Sequence, residues 1–437
     1  MTGWWFWPAA LVPGLIAYNM PPSPTLFNQL AAMGLWSAAL LAVRTGPGST
    51  LRSAALHSKA LWVALALVGA AAVFSSAFGT LPWGLGLPAA GLLLACMALV
   101  TAGAAVPPTR ALLVAFFSAW AAAGVCSSLI AAVQVFAPQW TGGDWIARSG
   151  LPGRAVGNLR QPNHLATLLL WSAVAAVPLV ELGLLRGTTP RRALAWGLMV
   201  LPVVGVTLSG SRTGLVGIAA LALWGLADRR LSRLARGLLL SAPLVCVATV
   251  ALTQAWSAAN ASHAIGAAAR LGQGDLSSSR FAIWRDTLVL IGDQPWLGVG
   301  FGEFNFAWTL TPLPTRPTEF FDHTHNLPLQ LAVELGLPLG GLVIGLLLMA
   351  LWQAARRTWA VPGEQGAALR AAFAMVLLAA LHSQLEYPLW YAHFLLPAAF
   401  TWGLCLGASQ TGTATQPAGG RQHAPVWAWA AGAAMAL

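Results

Sequence analysis

The chain has 437 residues, of which 57% are hydrophobic and only 8% are charged, and its mean hydropathy is +0.70. Because soluble domains of this length do not have such a composition, we expect a membrane protein with many spans. The net charge of +11 does not indicate nucleic-acid binding, since the basic residues are spread over short loops and form no patch interleaved with aromatic residues.

Apolar runs of about 17–25 residues recur along the chain, and each can cross a hydrocarbon core of about 30 Å. We therefore predict an all-α, polytopic fold with about twelve transmembrane helices. The predicted spans are 4–18, 26–43, 60–78, 87–105, 111–136, 163–182, 193–208, 213–227, 237–256, 327–352, 367–386 and 389–408. We expect Pro8 and Pro13 to break the first span.

Basic residues concentrate in alternate loops between these spans. The loops with this character contain Arg44, Arg52 and Lys59; Arg186, Arg191 and Arg192; Arg229, Arg230, Arg233 and Arg236; and Arg356, Arg357 and Arg370. The positive-inside rule assigns that face, and the N-terminus, to the cytoplasm. The polar loops 137–162, 209–212 and 257–326 then face outward, to the periplasm of a Gram-negative cell. No cytoplasmic loop carries a nucleotide-binding motif, so a synthetic reaction here needs an activated substrate.

These features divide the chain into five regions. They are N-terminal transmembrane helices (1–137), transmembrane helices with two outward polar motifs (138–256), one large periplasmic loop (257–326), C-terminal transmembrane helices (327–408), and a cytoplasmic linker with the start of a possible further span (409–437). Within the large loop, residues 279–291 are predicted to form an amphipathic helix that ends at Gly292.

The segment 321–336 concentrates polar side chains directly before an apolar helix. It contains Asp322, His323, His325, Asn326, Gln330 and Glu334. The last three recur every four residues and therefore share one helix face. We interpret the segment as the rim of a catalytic cavity. The alternative is a polar stripe that only bonds neighbouring helices.

A histidine in this segment is suited to act as a general base near neutral pH. We prefer His325 to His323, because His325 is nearer the helix and its polar stripe. A zinc site would need three or four converging ligands, and no other cluster of ligands supplies them. The four cysteines lie inside apolar runs and indicate neither disulfides nor a metal site. We therefore predict no metal and no cofactor.

Two further polar motifs precede predicted spans on the outward face. Arg212 lies in a turn of a few residues, at the depth where a charge is costly unless it is paired or functional, and its guanidinium fits phosphate oxygens. The alternative is an anchor that contacts lipid headgroups. The second motif contains Arg160, Gln161, Asn163 and His164 around a proline at the predicted first helical turn. For His164 alone, a structural role in the core is the alternative.

Together, and in this order, these motifs resemble those of the O-antigen ligase superfamily. His325 and Asn326, with nine residues between Asn326 and Gly336, resemble the ligase signature. The segments 157–166 and 385–391 resemble those of bacterial protein O-oligosaccharyltransferases, and the second contributes Tyr387.

The resemblance implies a GT-C-like fold in the bacterial inner membrane and an active site on the periplasmic side. It implies metal-free, inverting transfer of a glycan en bloc from undecaprenyl diphosphate to an acceptor hydroxyl. In this sequence, His325 would be the general base. Arg212 and Arg285, with Arg280 and Arg160, would hold the diphosphate. We expect the acceptor to be a Ser or Thr of an exported protein such as a pilin, with lipid A–core or another glycan as alternatives. A transporter or flippase is a more remote alternative.

Overall fold

The computed structural model describes residues 3–21, 23–42, 51–259, 266–267, 280–313, 316–317 and 321–408, and within them it has α-helices and two short 3-10 helices but no strand. The α-helices are α1 (Phe6–Leu15), α2 (Leu26–Ala42), α3 (Leu51–His57), α4 (Lys59–Phe78), α5 (Trp83–Ala105), α6 (Arg110–Phe136), α7 (Pro162–Glu181), α8 (Thr189–Ser209), α9 (Arg212–Ala227), α10 (Arg233–Ala259), α11 (Arg280–Asp293), α12 (Phe304–Leu310), α13 (Leu327–Ala360), α14 (Gly363–His382) and α15 (Ala392–Leu406).

The all-α architecture predicted from the apolar runs is confirmed. Eight helices in the described part of the chain are long and apolar enough to cross a membrane: α4, α5, α6, α7, α8, α10, α13 and α14. Four shorter apolar helices, α1, α2, α9 and α15, coincide with the other predicted spans. The total of twelve spans stays a prediction, as does the periplasmic position of the loop before α13.

Two local expectations were wrong. Pro8 and Pro13 do not break α1, which runs from Phe6 to Leu15. Pro8 lies in the first turn, where its missing N–H group needs no partner in the helix. The amphipathic helix α11 is present but passes Gly292 and ends at Asp293. The linker and possible further span at 409–437 lie outside the described residues.

The helices form one large apolar core, and polar contacts gather at its two ends. α7 is almost wholly enclosed by its neighbours, and its Trp171 donates to the backbone of Met375 in α14. At the end predicted to be cytoplasmic, Arg370 pairs with Asp228 across 2.6 Å, and both side chains are buried. The loops that carry the polar motifs all meet at the opposite end.

Helix α13 contains a break at Gly336, where φ is 74° and ψ is 166°. The segment 295–300 fits against this break. The amides of Val299 and Gly300 donate to the carbonyls of Val333 and Glu334 at 2.8 and 3.1 Å. A small separate core covers the same junction and comprises Ile283, Leu290, Ile291, Phe304, Trp308, Leu313 and Val333. The segment 295–300 and this small core therefore hold α11 against the first turns of α13.

Candidate active site

His325 and Glu386 form the centre of the polar cluster. The Nδ1 atom of His325 lies 2.7 Å from Oε2 of Glu386, although 61 residues separate the two along the chain. His325 has a φ of 55°, in the left-handed region that residues other than glycine rarely adopt. Glu386 is only 6% exposed, in the turn between α14 and α15. The strained backbone at His325 therefore delivers its ring to a buried carboxylate.

The second oxygen of Glu386 joins two more motifs to this pair. Oε1 accepts from Nδ2 of Asn163 at 2.7 Å and from the guanidinium of Arg280. Burial is the largest single influence and would raise the pKa of Glu386. The hydrogen bond and charge of His325, with the charge of Arg280, outweigh it and lower that pKa to about 2. Glu386 is thus a carboxylate across the physiological pH range.

Asn163 extends the cluster to the turn before α9. Its Oδ1 accepts from Oγ of Ser211 at 2.5 Å. Ser211 is also the N-cap of α9, since its Oγ accepts from the amide of Gly214, and Arg212 is the first residue of that helix. A continuous chain of hydrogen bonds therefore runs from His325 through Glu386 and Asn163 to the residue beside Arg212. Three motifs that are far apart in sequence meet in one site.

The polar stripe on α13 supports the loop that carries His325. Asn326 is the N-cap of α13, accepting from the amide of Leu329, and its Nδ2 donates to the carbonyl of Gln384 at 3.1 Å. Gln330 accepts from the amide of Thr324 at 2.8 Å and donates to Glu334 at 2.9 Å. These contacts fix the backbone on both sides of His325.

His323 faces a different set of side chains. Its ring stacks on Tyr387 with centroids 4.4 Å apart, and its Nδ1 lies 3.0 Å from Oδ1 of Asp322. Burial is the main reason why the pKa of the Tyr387 hydroxyl is raised, so Tyr387 stays neutral. The Tyr387 ring also stands perpendicular to the ring of His325, at 4.9 Å. Tyr387 therefore forms a wall shared by the two histidines.

The four predicted arginines occupy different environments. Arg280 belongs to the cluster, and Arg212 follows Ser211 at its edge. Arg285 is exposed on α11, about 140° around the helix from Arg280. Arg160 is exposed, has a φ of 56°, and donates from its guanidinium to the carbonyl of Ala17 at 2.7 Å. The hydrogen-bonded cluster thus includes Arg280, whereas Arg160 fastens the segment after α1.

The other two polar residues of the motif, Gln161 and His164, lie at the start of α7. Gln161 is the N-cap, and its side chain accepts from the amide of His164 at 2.7 Å. His164 is buried and packs against the rings of Tyr391 and Phe394, with His382 and His393 close by. His164 therefore lies in the packing layer beneath the cluster. Within the part of the chain that the structure describes, no group of three His, Cys, Asp or Glu residues is arranged to hold a metal ion.

Two residues of the cluster, Glu386 at its centre and Ser211 beside Arg212, were not predicted as site residues. A signal was present: Glu386 is an acidic residue in a short polar turn between two apolar spans, in a chain with only 12 acidic residues. Such a residue needs a partner. Its partners could not be read from the sequence, because Asn163 lies 223 positions away.

An apolar cavity of about 520 Å³ borders the first turns of α13, a volume typical of a ligand pocket. It is lined by side chains of α2, α4, α5, α13, α14 and α15, among them Met33, Leu61, Leu92, Leu331, Val376 and Leu395. Its few polar lining groups include Gln29, Gln330, Glu334 and Gln384. The cavity is therefore suited to a hydrocarbon ligand more than to a sugar.

Comparison with known proteins extends these observations. A protein-family model described as O-Antigen ligase matches residues 197–344, which include Arg212 and His325. The Protein glycosylation ligase model matches residues 155–179, with Asn163. A third, described as Virulence factor membrane-bound polymerase, C-terminal, matches residues 368–437, with Glu386. Together, the three matches cover the segments that contribute the cluster.

Two curated proteins of Acinetobacter baylyi are similar to this chain. A General O-oligosaccharyltransferase is 28% identical over 303 residues, which are 65% of this chain and 49% of that protein. A ComP-specific O-oligosaccharyltransferase is 31% identical over 130 residues, which are 29% of this chain and 22% of that protein. The matched part thus spans about half the length of the first relative and less of the second. These comparisons confirm the predicted resemblance to the O-antigen ligase superfamily, with bacterial O-oligosaccharyltransferases among the relatives.

Proposed function

We propose that this protein transfers a glycan en bloc from undecaprenyl diphosphate to a Ser or Thr hydroxyl of an exported, pilin-like protein, at the periplasmic face of the bacterial inner membrane. The observation that carries the proposal is the convergence of His325, Arg280 and Asn163 on Glu386, with Ser211 bonded to Asn163. A base, a cation and two polar positioning groups are the parts that such a transfer requires.

His325 would act as the general base. With the Nδ1–H group directed at Glu386, the lone pair of Nε2 remains available to accept the proton of the acceptor hydroxyl. As the acceptor hydroxyl loses its proton, its oxygen forms a bond to the anomeric carbon of the sugar. The bond from that carbon to the diphosphate oxygen breaks, and its electrons stay with the diphosphate. Attack opposite the leaving group inverts the anomeric centre, and a positioned base contributes about 10²–10⁴-fold in rate.

The arginines would hold the diphosphate and compensate the charge that develops on it. Arg280 and Arg212 lie at the cluster, and their guanidinium groups can contact phosphate oxygens at two points. Arg285 and Arg160 would contribute from the surrounding surface. Because a diphosphate is already a good leaving group, arginine electrostatics and a base suffice for a metal-independent reaction.

The apolar cavity beside α13 supports a lipid-linked substrate. Its lining is almost entirely hydrocarbon, and it reaches Leu327 and Pro328, which follow His325 and Asn326 directly. A polyprenyl chain in this cavity would therefore leave its polar head close to the catalytic loop.

Ligation of O-antigen to lipid A–core, or polymerisation of O-antigen, is the second candidate function. It is favoured by the O-Antigen ligase match over residues 197–344 and by the polymerase match at 368–437. We prefer a protein acceptor, because both similar curated proteins are named O-oligosaccharyltransferases.

The proposal is tested by measuring glycan transfer by the purified protein in lipid nanodiscs. The donor is a defined undecaprenyl-diphosphate-linked glycan, and EDTA is present. A pilin-like protein and lipid A–core are offered side by side. Wild-type protein should glycosylate the protein acceptor, and His325→Ala should lower the transfer rate by about 10²–10⁴-fold, to a residual rate that can still be measured. His57→Ala changes a histidine of α3, which lies away from the cluster, and should leave the rate unchanged. Transfer to lipid A–core alone would favour the second candidate. Wild-type rates in His325→Ala would remove His325 from the mechanism.

A further inference from the structure

Glu386 lies where the base and the cations of the site meet. Building on the proposed function, we infer that Glu386 is a positioning residue: it holds the Nδ1 proton of His325 and so directs Nε2 to the acceptor hydroxyl. The two carboxylate oxygens divide their partners, because Oε2 contacts His325 whereas Oε1 contacts Arg280 and Asn163. This division fixes the rotation of the carboxylate.

The surroundings of Glu386 leave little freedom for another arrangement. Its side chain is 7% exposed, and the amides of Glu386 and Leu385 both donate to the carbonyl of His382. On the other side, Asn326 and Gln330 fix the loop around His325. A left-handed φ at a residue other than glycine costs on the order of 1–3 kcal/mol and persists only where contacts enforce it. The His325–Glu386 contact is therefore a constraint that the fold maintains against strain.

A carboxylate in this position has two effects on an imidazole base. It selects the tautomer with the proton on Nδ1, and it stabilises the imidazolium that forms when Nε2 takes a proton. A structural ion pair between Glu386 and Arg280 alone would need neither effect. The bond to His325, on the oxygen that Arg280 does not use, distinguishes the two roles.

Other titratable groups also face this pair, and a pH profile must be interpreted with them in mind. Those that interact with Glu386 or His325 are Arg280 on α11, His164 on α7, His382 on α14, and Asp322, Tyr387 and Tyr391 in the loops. Replacing Glu386 by glutamine keeps the shape and a hydrogen-bond acceptor but removes the charge. It therefore changes one element of this environment and leaves the other groups in place.

The experiment compares Glu386→Gln with Glu364→Gln, which removes a carboxylate that is about half exposed and pairs with Arg186 at the opposite end of the bundle. In the nanodisc assay, Glu386→Gln should lower kcat by about 10²–10⁴-fold. The acidic limb of its pH–rate profile should move to lower pH, because the imidazolium loses its counter-charge. Glu386→Asp, which keeps the charge, should recover part of kcat and the wild-type profile. Glu364→Gln should match wild type in both.

A double-mutant cycle with His325→Ala separates the inference from the proposed function. If Glu386 acts through His325, Glu386→Gln should cost nothing further in the His325→Ala background. Additive losses, or a wild-type kcat and pH profile in Glu386→Gln, would overturn the inference while leaving the base intact. Wild-type transfer by His325→Ala would instead overturn the proposed function. Thermal unfolding checks each variant. If Glu386→Gln does not fold, Glu386→Ala is measured in its place: a wild-type kcat and pH profile would refute the inference, and a lowered kcat with the acidic limb at lower pH would support it.

Discussion

The break in α13 at Gly336 predicts how much stability a substitution at this glycine would cost. Gly336 has a φ of 74° and a ψ of 166°, a combination that is almost confined to glycine. A Cβ atom at this position would lie 2.3 Å from the carbonyl oxygen of Trp296 and 2.8 Å from the amide nitrogen of Leu297. Both are backbone atoms, which cannot rotate aside as a side chain can. Gly336→Ala must therefore separate the segment 295–300 from α13.

The energetic cost has two components. An alanine held in this conformation is strained by about 1–3 kcal/mol. Moving the segment also weakens hydrogen bonds such as the one from the amide of Leu337 to the carbonyl of Pro295, 2.7 Å long, and each bond contributes about 0.5–1.5 kcal/mol. We expect Gly336→Ala to destabilise the protein by about 2–6 kcal/mol. Because the same junction docks α11, which carries Arg280, glycan transfer should fall as well.

Gly341→Ala is the matched control on the same helix. A Cβ at Gly341 meets nothing within 4 Å, and alanine in a helix interior is favoured over glycine by about 0.5–1 kcal/mol. Thermal unfolding of each variant in nanodiscs, followed by tryptophan fluorescence, should show a lowered Tm for Gly336→Ala and an unchanged or raised Tm for Gly341→Ala. Equal Tm values for Gly336→Ala and wild type would refute the inferred junction.

Two further predictions concern charge. Arg212→Lys should raise the donor KM and lower kcat, because the lysine ammonium cannot contact phosphate oxygens at two points as a guanidinium does. Arg229→Lys, in an exposed loop, should change neither constant. Identical kinetics for the two variants would count against phosphate binding by Arg212. The pKa of Glu386 is lowered from the usual 4.5 to about 2, so its stabilising effect is full above pH 4.5 and is lost as pH falls towards 2. Thermal unfolding between pH 6 and 2 should accordingly show a smaller loss of Tm for Glu386→Gln than for wild type, and parallel curves would contradict this assignment.

The elements and their local polar ends could be predicted from the sequence, because the relevant interactions are short-range. Apolar runs locate the helices. Gln161 and Asn326 precede helices as N-caps, each bonding an amide three residues ahead. The spacing of Gln330 and Glu334 similarly predicts a shared face, and the two side chains do form a hydrogen bond. Each of these features depends on residues within one or two helical turns.

The partners across the bundle could not be predicted in this way. Arg160 and Arg280 both lie in predicted outward loops, and the sequence gives no reason to treat them differently. The guanidinium of Arg280 contacts Glu386, whereas that of Arg160 contacts the carbonyl of Ala17, 143 residues away. The break at Gly336 was also missed, because the apolar run continues through it and the segment that fills it lies elsewhere in the chain.

The fold itself adds positive potential to that of the arginines. Helices α7, α9, α11 and α13 begin at Pro162, Arg212, Arg280 and Leu327, and the polar residues at these four starts belong to, or flank, the cluster around Glu386. A helix N-terminus carries about half a positive charge, so four of them favour an anion such as a diphosphate independently of any single side chain. Loss of one guanidinium fork should therefore weaken donor use without abolishing it. A proton acceptor has no such substitute, which is why removal of the His325 ring should be the more severe change.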